Sequence, residues 1–282
     1  MNISFNFDGK VVLITGAGSG IGAQTAAQFA RAGAQVVISG RDGNSVRKVA
    51  KKCDSVSPGG LRAVVVVADL TSEVDCFRAI ETTVLSVGKL HVLVHNSDMV
   101  WQSCQINDPK FVDNYKHIME TNLNSFVYLT HYSVKYLMQT TGNIVNNTSI
   151  VDIVSSPLNS PNCMAKSALN VFTQYLSTQL QSKGVRVNSI NPGGSQNNVH
   201  LYTSIEAMMN STYTQLRNVS KTAVPVDDIV NGILYLASDQ ATMVNGFNFV
   251  ANCCCCRCFS DELRAFYYIN SSNNSGKCSK FF

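Results

Sequence analysis

Charge is scarce in this chain of 282 residues. Lysine, arginine, aspartate and glutamate make up 14% of it, against about 25% in an average soluble domain. Intrinsic disorder needs few apolar residues and much charge. With 45% apolar residues, the chain excludes disorder for most of its length. Basic clusters are also missing: the net charge is only +4 and the 22 lysines and arginines are dispersed. That leaves no electrostatic footprint for nucleic acid or an anionic membrane. Long hydrophobic runs are absent too. The longest, Ala63–Ala68, falls far short of the ~20 residues that span a bilayer. The opening MNISFNFDGK carries neither the basic nor the apolar segment of a secretory signal, so the expectation is a cytoplasmic protein with reduced thiols. No Pro/Gly/Ser linker interrupts the chain before residue 250, and no internal repeat is visible. This predicts one domain over residues 1–252 and an appended segment, 253–282.

What the chain does have is asparagine and cysteine. Asparagine occurs 27 times and creates seven Asn-x-Ser/Thr sequons, at Asn2, Asn146, Asn147, Asn210, Asn218, Asn270 and Asn273. Without an export signal these read as a by-product of composition. Of ten cysteines, Cys53, Cys76, Cys104 and Cys163 are scattered, while Cys253, Cys254, Cys255, Cys256, Cys258 and Cys278 crowd the last thirty residues. Zinc sites use two separated ligand pairs. Here the Cys-x-x-Cys pairs overlap and no histidine follows them, so no metal is expected. Metal binding and palmitoylation remain alternatives to a disordered Cys/Asn/Ser-rich tail.

Short β-branched runs alternate with helical patterns along the rest of the chain. Lys10–Thr15, Gln35–Ser39, Arg62–Val67, His91–His95, Asn143–Asn147, Val185–Ile190 and Gly246–Val250 read as strands. Helical patterns cover Gln24–Ala32, Asn44–Cys53 and Ser72–Val87. In the last of these, Phe77, Ile80, Val84 and Val87 share a face. One or two helices follow between Pro109 and Met138, then a long one over Cys163–Ser182 and another over Asp227–Ser238. Nearly continuous apolar strands between helices belong to a parallel sheet covered on both sides. With right-handed crossovers, the expected fold class is α/β: a doubly wound (Rossmann) seven-stranded parallel sheet with helices on both faces.

The first strand runs straight into Thr15-Gly16-Ala17-Gly18-Ser19-Gly20-Ile21-Gly22 and then a helix. Glycines there let the backbone turn tightly and approach a pyrophosphate, and the helix start supplies free N–H groups and a positive dipole end. Strand, glycines, helix and second strand in that order form a dinucleotide-binding signature. The second strand ends Ser39-Gly40-Arg41-Asp42. An acidic residue at that place favours NAD by binding the 2′-hydroxyl, and a basic one accommodates the 2′-phosphate of NADP. Arg41 favours NADP(H). Asp42 is the counter-argument and keeps NAD(H) open.

This arrangement resembles the short-chain dehydrogenase/reductase family over roughly residues 6–250, and in detail its animal members described as 3-oxoacyl-carrier-protein-reductase-like. Thr15, Gly16, Gly20 and Gly22 match the family's glycine turn, with Ser19 and Ile21 between them. Asp69 and Leu70 match its adenine-contacting pair. Asn96 lies in the stretch corresponding to its Asn-Asn-Ala-Gly, and Pro192 and Gly193 match the Pro-Gly that follows the sixth strand. The resemblance implies three residues of the catalytic set: Asn122 as structural and proton-relay asparagine, Ser149 as the serine that bonds the substrate oxygen, and Lys166 as the lysine of Tyr-x-x-x-Lys. In the family that lysine tunes the tyrosine and holds the nicotinamide ribose. The departures fall on chemical positions. Counting four back from Lys166 and thirteen on from Ser149 both land on Asn162, where the family has tyrosine. Its Asn-Asn-Ala-Gly reads His95-Asn96-Ser97-Asp98, the threonine that contacts the carboxamide is Asn197, and the terminal Val-Asp-Gly-Gly is Val250-Ala251-Asn252-Cys253.

A phenol whose pKa is lowered by a nearby ammonium protonates the developing alkoxide as hydride arrives. Asn162 donates a hydrogen bond but releases no proton at ordinary pH, and losing a positioned acid costs about 10²–10⁴-fold. Cys163 is adjacent but turned ~100° away on the helix. Lys166, or water relayed by Asn122, is the better substitute. Three functions stay open: an NAD(P)(H)-dependent oxidoreductase on a carbonyl or alcohol, with impaired turnover; an inactive nucleotide-binding protein, or oligomer partner of an active paralogue; and a decayed product. The resemblance implies pairing as a dimer or tetramer through the helices within 110–138 and 162–182. The substrate loop, about Gly194–Arg217, is polar and does not name a substrate.

Overall fold

The computed structural model describes residues 4–99, 105–150, 160–193 and 224–251. The segments about Gly194–Arg217 and 253–282, with Cys104 and Asn197, lie outside the described residues.

Seven strands form one sheet: β1 (Val11–Ile14), β2 (Gln35–Gly40), β3 (Val64–Val67), β4 (Val92–His95), β5 (Asn143–Asn147), β6 (Arg186–Pro192) and β7 (Asn248–Ala251). Their order is β3-β2-β1-β4-β5-β6-β7 and every pairing is parallel. Among the described residues the α-helices are α1 (Gly20–Arg31), α2 (Gly43–Val56), α3 (Glu73–Val87), α4 (Phe111–Met119), α5 (Ser125–Thr140), α6 (Ser160–Leu180) and α7 (Val226–Ala237). The doubly wound architecture is the one the strand-helix alternation predicts.

Strand alternation splits the core in two. Val12 and Ile14 of β1 point to the side covered by α1, α2 and α7, where Phe29, Val46 and Ile233 are buried with them. Val11 and Leu13 point to the other side, where Leu93, Ile144 and Val187 pack against α3, α5 and α6. Both sides are closed to water, so β1 must be apolar at every position and is buried throughout. Each fully buried Leu or Ile contributes about 1.5–3 kcal/mol.

Three local features differ from the sequence reading. Helix α1 starts at Gly20 instead of Gln24, because Gly20 and Gly22 open its first turn. Helix α3 buries Cys76, Ala79, Ile80 and Thr83, so the Phe77/Ile80/Val84/Val87 face is displaced. Small Cys76 and Ala79 let the backbone lie close to the sheet, while Phe77 stays 43% exposed and meets Tyr132 edge-on at 5.2 Å. Between α4 and α5 the chain makes a single π-helical turn, Glu120–Asn124. Its extra residue rotates Asn122 into the protein interior, where it is fully buried.

Candidate active site

The carboxyl ends of β1 and β4 diverge to opposite sides and leave a crevice, the usual ligand position of an open α/β sheet. The loop after β1 is stitched to the loop after β4. Thr15 Oγ1 accepts from the backbone N–H of Asn96 at 3.0 Å and of Ser97 at 3.3 Å. Asn96 Nδ2 donates to the Gly16 carbonyl at 3.2 Å, and Asn147 Nδ2 donates to Asn96 Oδ1 at 2.7 Å. Gly16 sits at φ +59° and Gly20 at φ +54°, conformations that L side chains rarely adopt. A Cβ on Gly16 would lie 2.8 Å from the Ser97 backbone, and one on Gly22 would collide with the Gly16 carbonyl and come 2.5 Å from Asn96 Nδ2. The glycines are therefore dictated by backbone closeness.

Three consecutive helix starts show what this turn is for. Asp42 caps α2, accepting from the N–H of Asn44 and Ser45, and Ser72 caps α3 through the N–H of Asp75. The cap position of α1, Ser19, makes no side-chain capping bond. The N–H groups of its first turn thus face a cleft of about 430 Å³ with their dipole end uncapped, a ready anion site. Gly16, Ser19, Gly20, Ile21, Arg41, Asp69, Leu70 and Asn96 line this cleft together with Ser97, Asp98, Thr121 and Asn147. Thr15 and Gly22 shape its wall from behind.

At the β2 end Asp42 lines the cleft and caps α2. The Ser45 hydroxyl, then the Asn44 N–H, hold its carboxyl below the usual carboxylate range, so the carboxylate is committed to the helix cap. Arg41 beside it is likewise exposed and lines the same cleft. Asp69 Oδ1 accepts from Thr71 N and Thr71 Oγ1 at 3.1 and 2.9 Å, which fixes the carboxylate at the cleft.

The four expected chemical residues lie beyond the cleft. Ser149 follows β5 and is half-buried, next to Thr148, whose N–H donates to the Ile190 carbonyl. Pro192 ends β6, and the Gly193 N–H donates to Ala251. Asn162 and Lys166 lie one turn apart on α6 and are both buried. Asn122 Oδ1 accepts from Met99 N at 2.8 Å, while Asn122 Nδ2 donates to the Met99 carbonyl and to Asn162 Oδ1, both at 2.9 Å. The tyrosine position is thus filled by an amide whose oxygen is taken up by Asn122. Its N–H₂ is the end that can donate.

Lys166 has a partner that spacing alone does not reveal. Its Nζ is 0% exposed and lies 3.0 Å from Asp98 Oδ1. The approach is not aligned as a hydrogen bond, and the buried ammonium has no acceptor in line. The Phe126 ring lies 5.8 Å away. His95 stacks on the same ring at 4.7 Å, and its Nε2 meets Thr130 Oγ1 at 3.1 Å. Complete burial pushes the His95 pKa down to about 3. Cys53 and Cys76 are buried thiols, pushed up to about 11 and about 12, which makes them poor nucleophiles. Among the described residues no cluster is placed to hold a metal and no helix is long and apolar enough to cross a membrane.

Sequence reasoning missed the Asp98–Lys166 pair, Thr121 and Asn147 in the cleft, and the capping role of Asp42. The last had a signal, since an aspartate three residues before a serine at a helix start is a cap pattern.

The family model described as Enoyl-(Acyl carrier protein) reductase matches residues 16–253. Cyclohexanol dehydrogenase of Acinetobacter sp. is 28% identical over 89% of this chain and 96% of its own length. General stress protein 39 of Bacillus subtilis is 31% identical over 86% of this chain and 85% of its own. A short-chain type dehydrogenase/reductase from Mycobacterium ulcerans superposes with a TM-score of 0.81 at 25% identity, covering 88% of this chain and 90% of the other.

Proposed function

The chain belongs to the short-chain dehydrogenase/reductase family, a family of oxidoreductases that use nicotinamide nucleotides, and from that premise we propose an NADP(H)-preferring oxidoreductase acting on a small carbonyl or alcohol with impaired turnover. The observation that carries this reading is the uncapped N-terminus of α1 over a cleft walled by glycines that no side chain could replace.

The residues present fit such a cofactor. The turn from Gly16 to Gly22 would hold the pyrophosphate on backbone N–H groups. Asp69 and Leu70 would border the adenine, and Arg41 would meet a 2′-phosphate, since Asp42 is spent on its helix. Asn147 Oδ1 and Lys166 Nζ are buried without a hydrogen-bond partner, and these are groups that ribose hydroxyls would satisfy. When bound, the cofactor supplies or accepts hydride. Ser149 would donate a hydrogen bond to the substrate oxygen. Asn162 would orient that oxygen through its N–H₂ but lend no proton, so protons would have to come from Lys166 itself or from water relayed by Asn122. Impairment by about 10²–10⁴-fold follows from the missing acid.

A second reading is favoured by two contacts, Asn122 to Asn162 and Asp98 to Lys166: a nucleotide-binding protein without turnover, working as a dimer or tetramer or as the partner of an active relative. Exposed Val112, Val127, Met138, Met164, Val171 and Tyr175 on α4, α5 and α6 would serve such pairing. A cytoplasmic location accords with both readings. The test is fluorescence titration with NADPH and NADH, followed by NADPH oxidation over a broad carbonyl panel. Slow turnover with at least one ketone is expected. Tight NADPH binding with no turnover on any substrate favours the second reading, and no binding of either nucleotide overturns both.

A further inference from the structure

We propose that Asp98 is a specificity-determining residue that closes the nicotinamide end of the cleft, so that the protein takes adenine mononucleotides as readily as whole dinucleotides. The proposal rests on the nucleotide-binding reading above and deepens it.

Among the described residues, those lining the cleft lie around the phosphate turn and the ends of β2 and β3. The cleft runs from Arg41 and Asp69 past the glycine turn and reaches Asp98 at its other end, and Lys166 does not line it. Asp98 bridges the two regions. Its side chain is 37% exposed, and its Oδ1 sits 3.0 Å from an ammonium that is 0% exposed. A fully buried ammonium requires a counter-charge, and among the described residues Asp98 is the only carboxylate ion-paired with Lys166. A ribose can offer hydroxyls to Lys166 but no charge. For a dinucleotide to engage Lys166, it must displace or share with Asp98, and its pyrophosphate must also approach a carboxylate. A nucleotide that ends at the 5′-phosphate meets neither cost. It spans Arg41, Asp69 and the α1 N-terminus and stops short of Asp98. Hydrogen bonds to charged groups carry enough energy that loss of the Lys166–ribose contact should weaken dinucleotides by about 10- to 100-fold relative to a site with no side chain at position 98.

Calorimetric titration of the full chain with 5′-AMP, 2′,5′-ADP, NADH and NADPH tests this. In the unsubstituted protein NADPH should bind within a few-fold of 2′,5′-ADP. Asp98→Gly should tighten NADPH by about 10- to 100-fold and leave 2′,5′-ADP within about twofold. Asp98→Asn keeps the shape, removes the charge and should move NADPH in the same direction, which covers a glycine variant that folds poorly. The proposal is overturned if the unsubstituted protein already binds NADPH more than about tenfold tighter than 2′,5′-ADP, a comparison that needs no variant. It is also overturned if either substitution leaves NADPH unchanged or shifts both ligands equally. Failure of all four nucleotides to bind would instead remove the cofactor reading, and this proposal with it.

Discussion

His95 should make the fold acid-sensitive in a pH range where most domains are unaffected. The ring is fully buried, stacked on Phe126, and its Nδ1 has no hydrogen-bond partner. Nothing there stabilises a second proton, and burial takes the pKa from 6.5 in the free side chain to about 3 in the fold. A lowered folded pKa in a base means that the unfolded chain binds the proton first. Stability from this group is therefore complete above about pH 6.5, falls as the pH drops, and stops falling below about pH 3. Within that window the slope approaches about 1.4 kcal/mol per pH unit. Between about pH 7 and pH 5 the loss should reach about 2 kcal/mol, a large share of the 5–15 kcal/mol typical of a domain. Urea unfolding at a series of pH values measures it, with His95→Asn as the comparison. The half-buried His91 also has a lowered pKa, first from burial and then from Lys10 and Lys89, but it is present in both proteins and cancels. The substitution will shift absolute stability, so the readout is the slope. If the two stability-against-pH curves run parallel from pH 7 to pH 5, His95 does not titrate as argued.

Other substitutions test the site. Asn162→Tyr restores a proton donor one turn from Lys166, and should raise steady-state NADPH oxidation by about 10²–10⁴-fold if the rest of the site is competent. Gly22→Ala should abolish nucleotide binding in a fluorescence titration and lower the melting temperature, because the new methyl collides with the Gly16 carbonyl and crowds Asn96 Nδ2. Arg41→Ala should weaken NADPH by about 10-fold or more and leave NADH within about twofold. Equal loss for both would mean that Arg41 does not read the 2′-phosphate.

The sheet was almost wholly legible because a strand buried on both faces leaves a mark in every residue. VVLI and VLVH need no context to be read, and the connection rules point to a doubly wound parallel sheet. Glycine spacing located the phosphate end of the cleft for the same reason: Gly16 and Gly22 are specified by local backbone contacts. Helix α3 was misjudged because its burial depends on small residues. Cys76, Ala79 and Thr83 outrank Phe77 once the distance to the sheet is fixed. The pair that most affects the chemistry, Asp98 with Lys166, joins the loop after β4 to helix α6 and has no period. It exists only after β4, β5 and α6 are in place. The π-helical turn at Asn122 is likewise set by packing, since Glu120–Asn124 reads as ordinary helix.

Strand order also constrains the birth of the protein. Val12 pairs with Val92, so one edge of β1 stays unpaired until β4 leaves the ribosome. At about 5–20 residues per second, the intervening chain takes on the order of 4–16 seconds to appear. Through that interval β1 leaves one backbone edge unpaired between apolar faces, the kind of surface that recruits other chains. Ligand cannot shorten the exposure, because Asn96 and Ser97, which complete the phosphate turn through Thr15, arrive with the same late strand. Yield on synthesis should accordingly depend on chaperone capacity and respond little to added nucleotide.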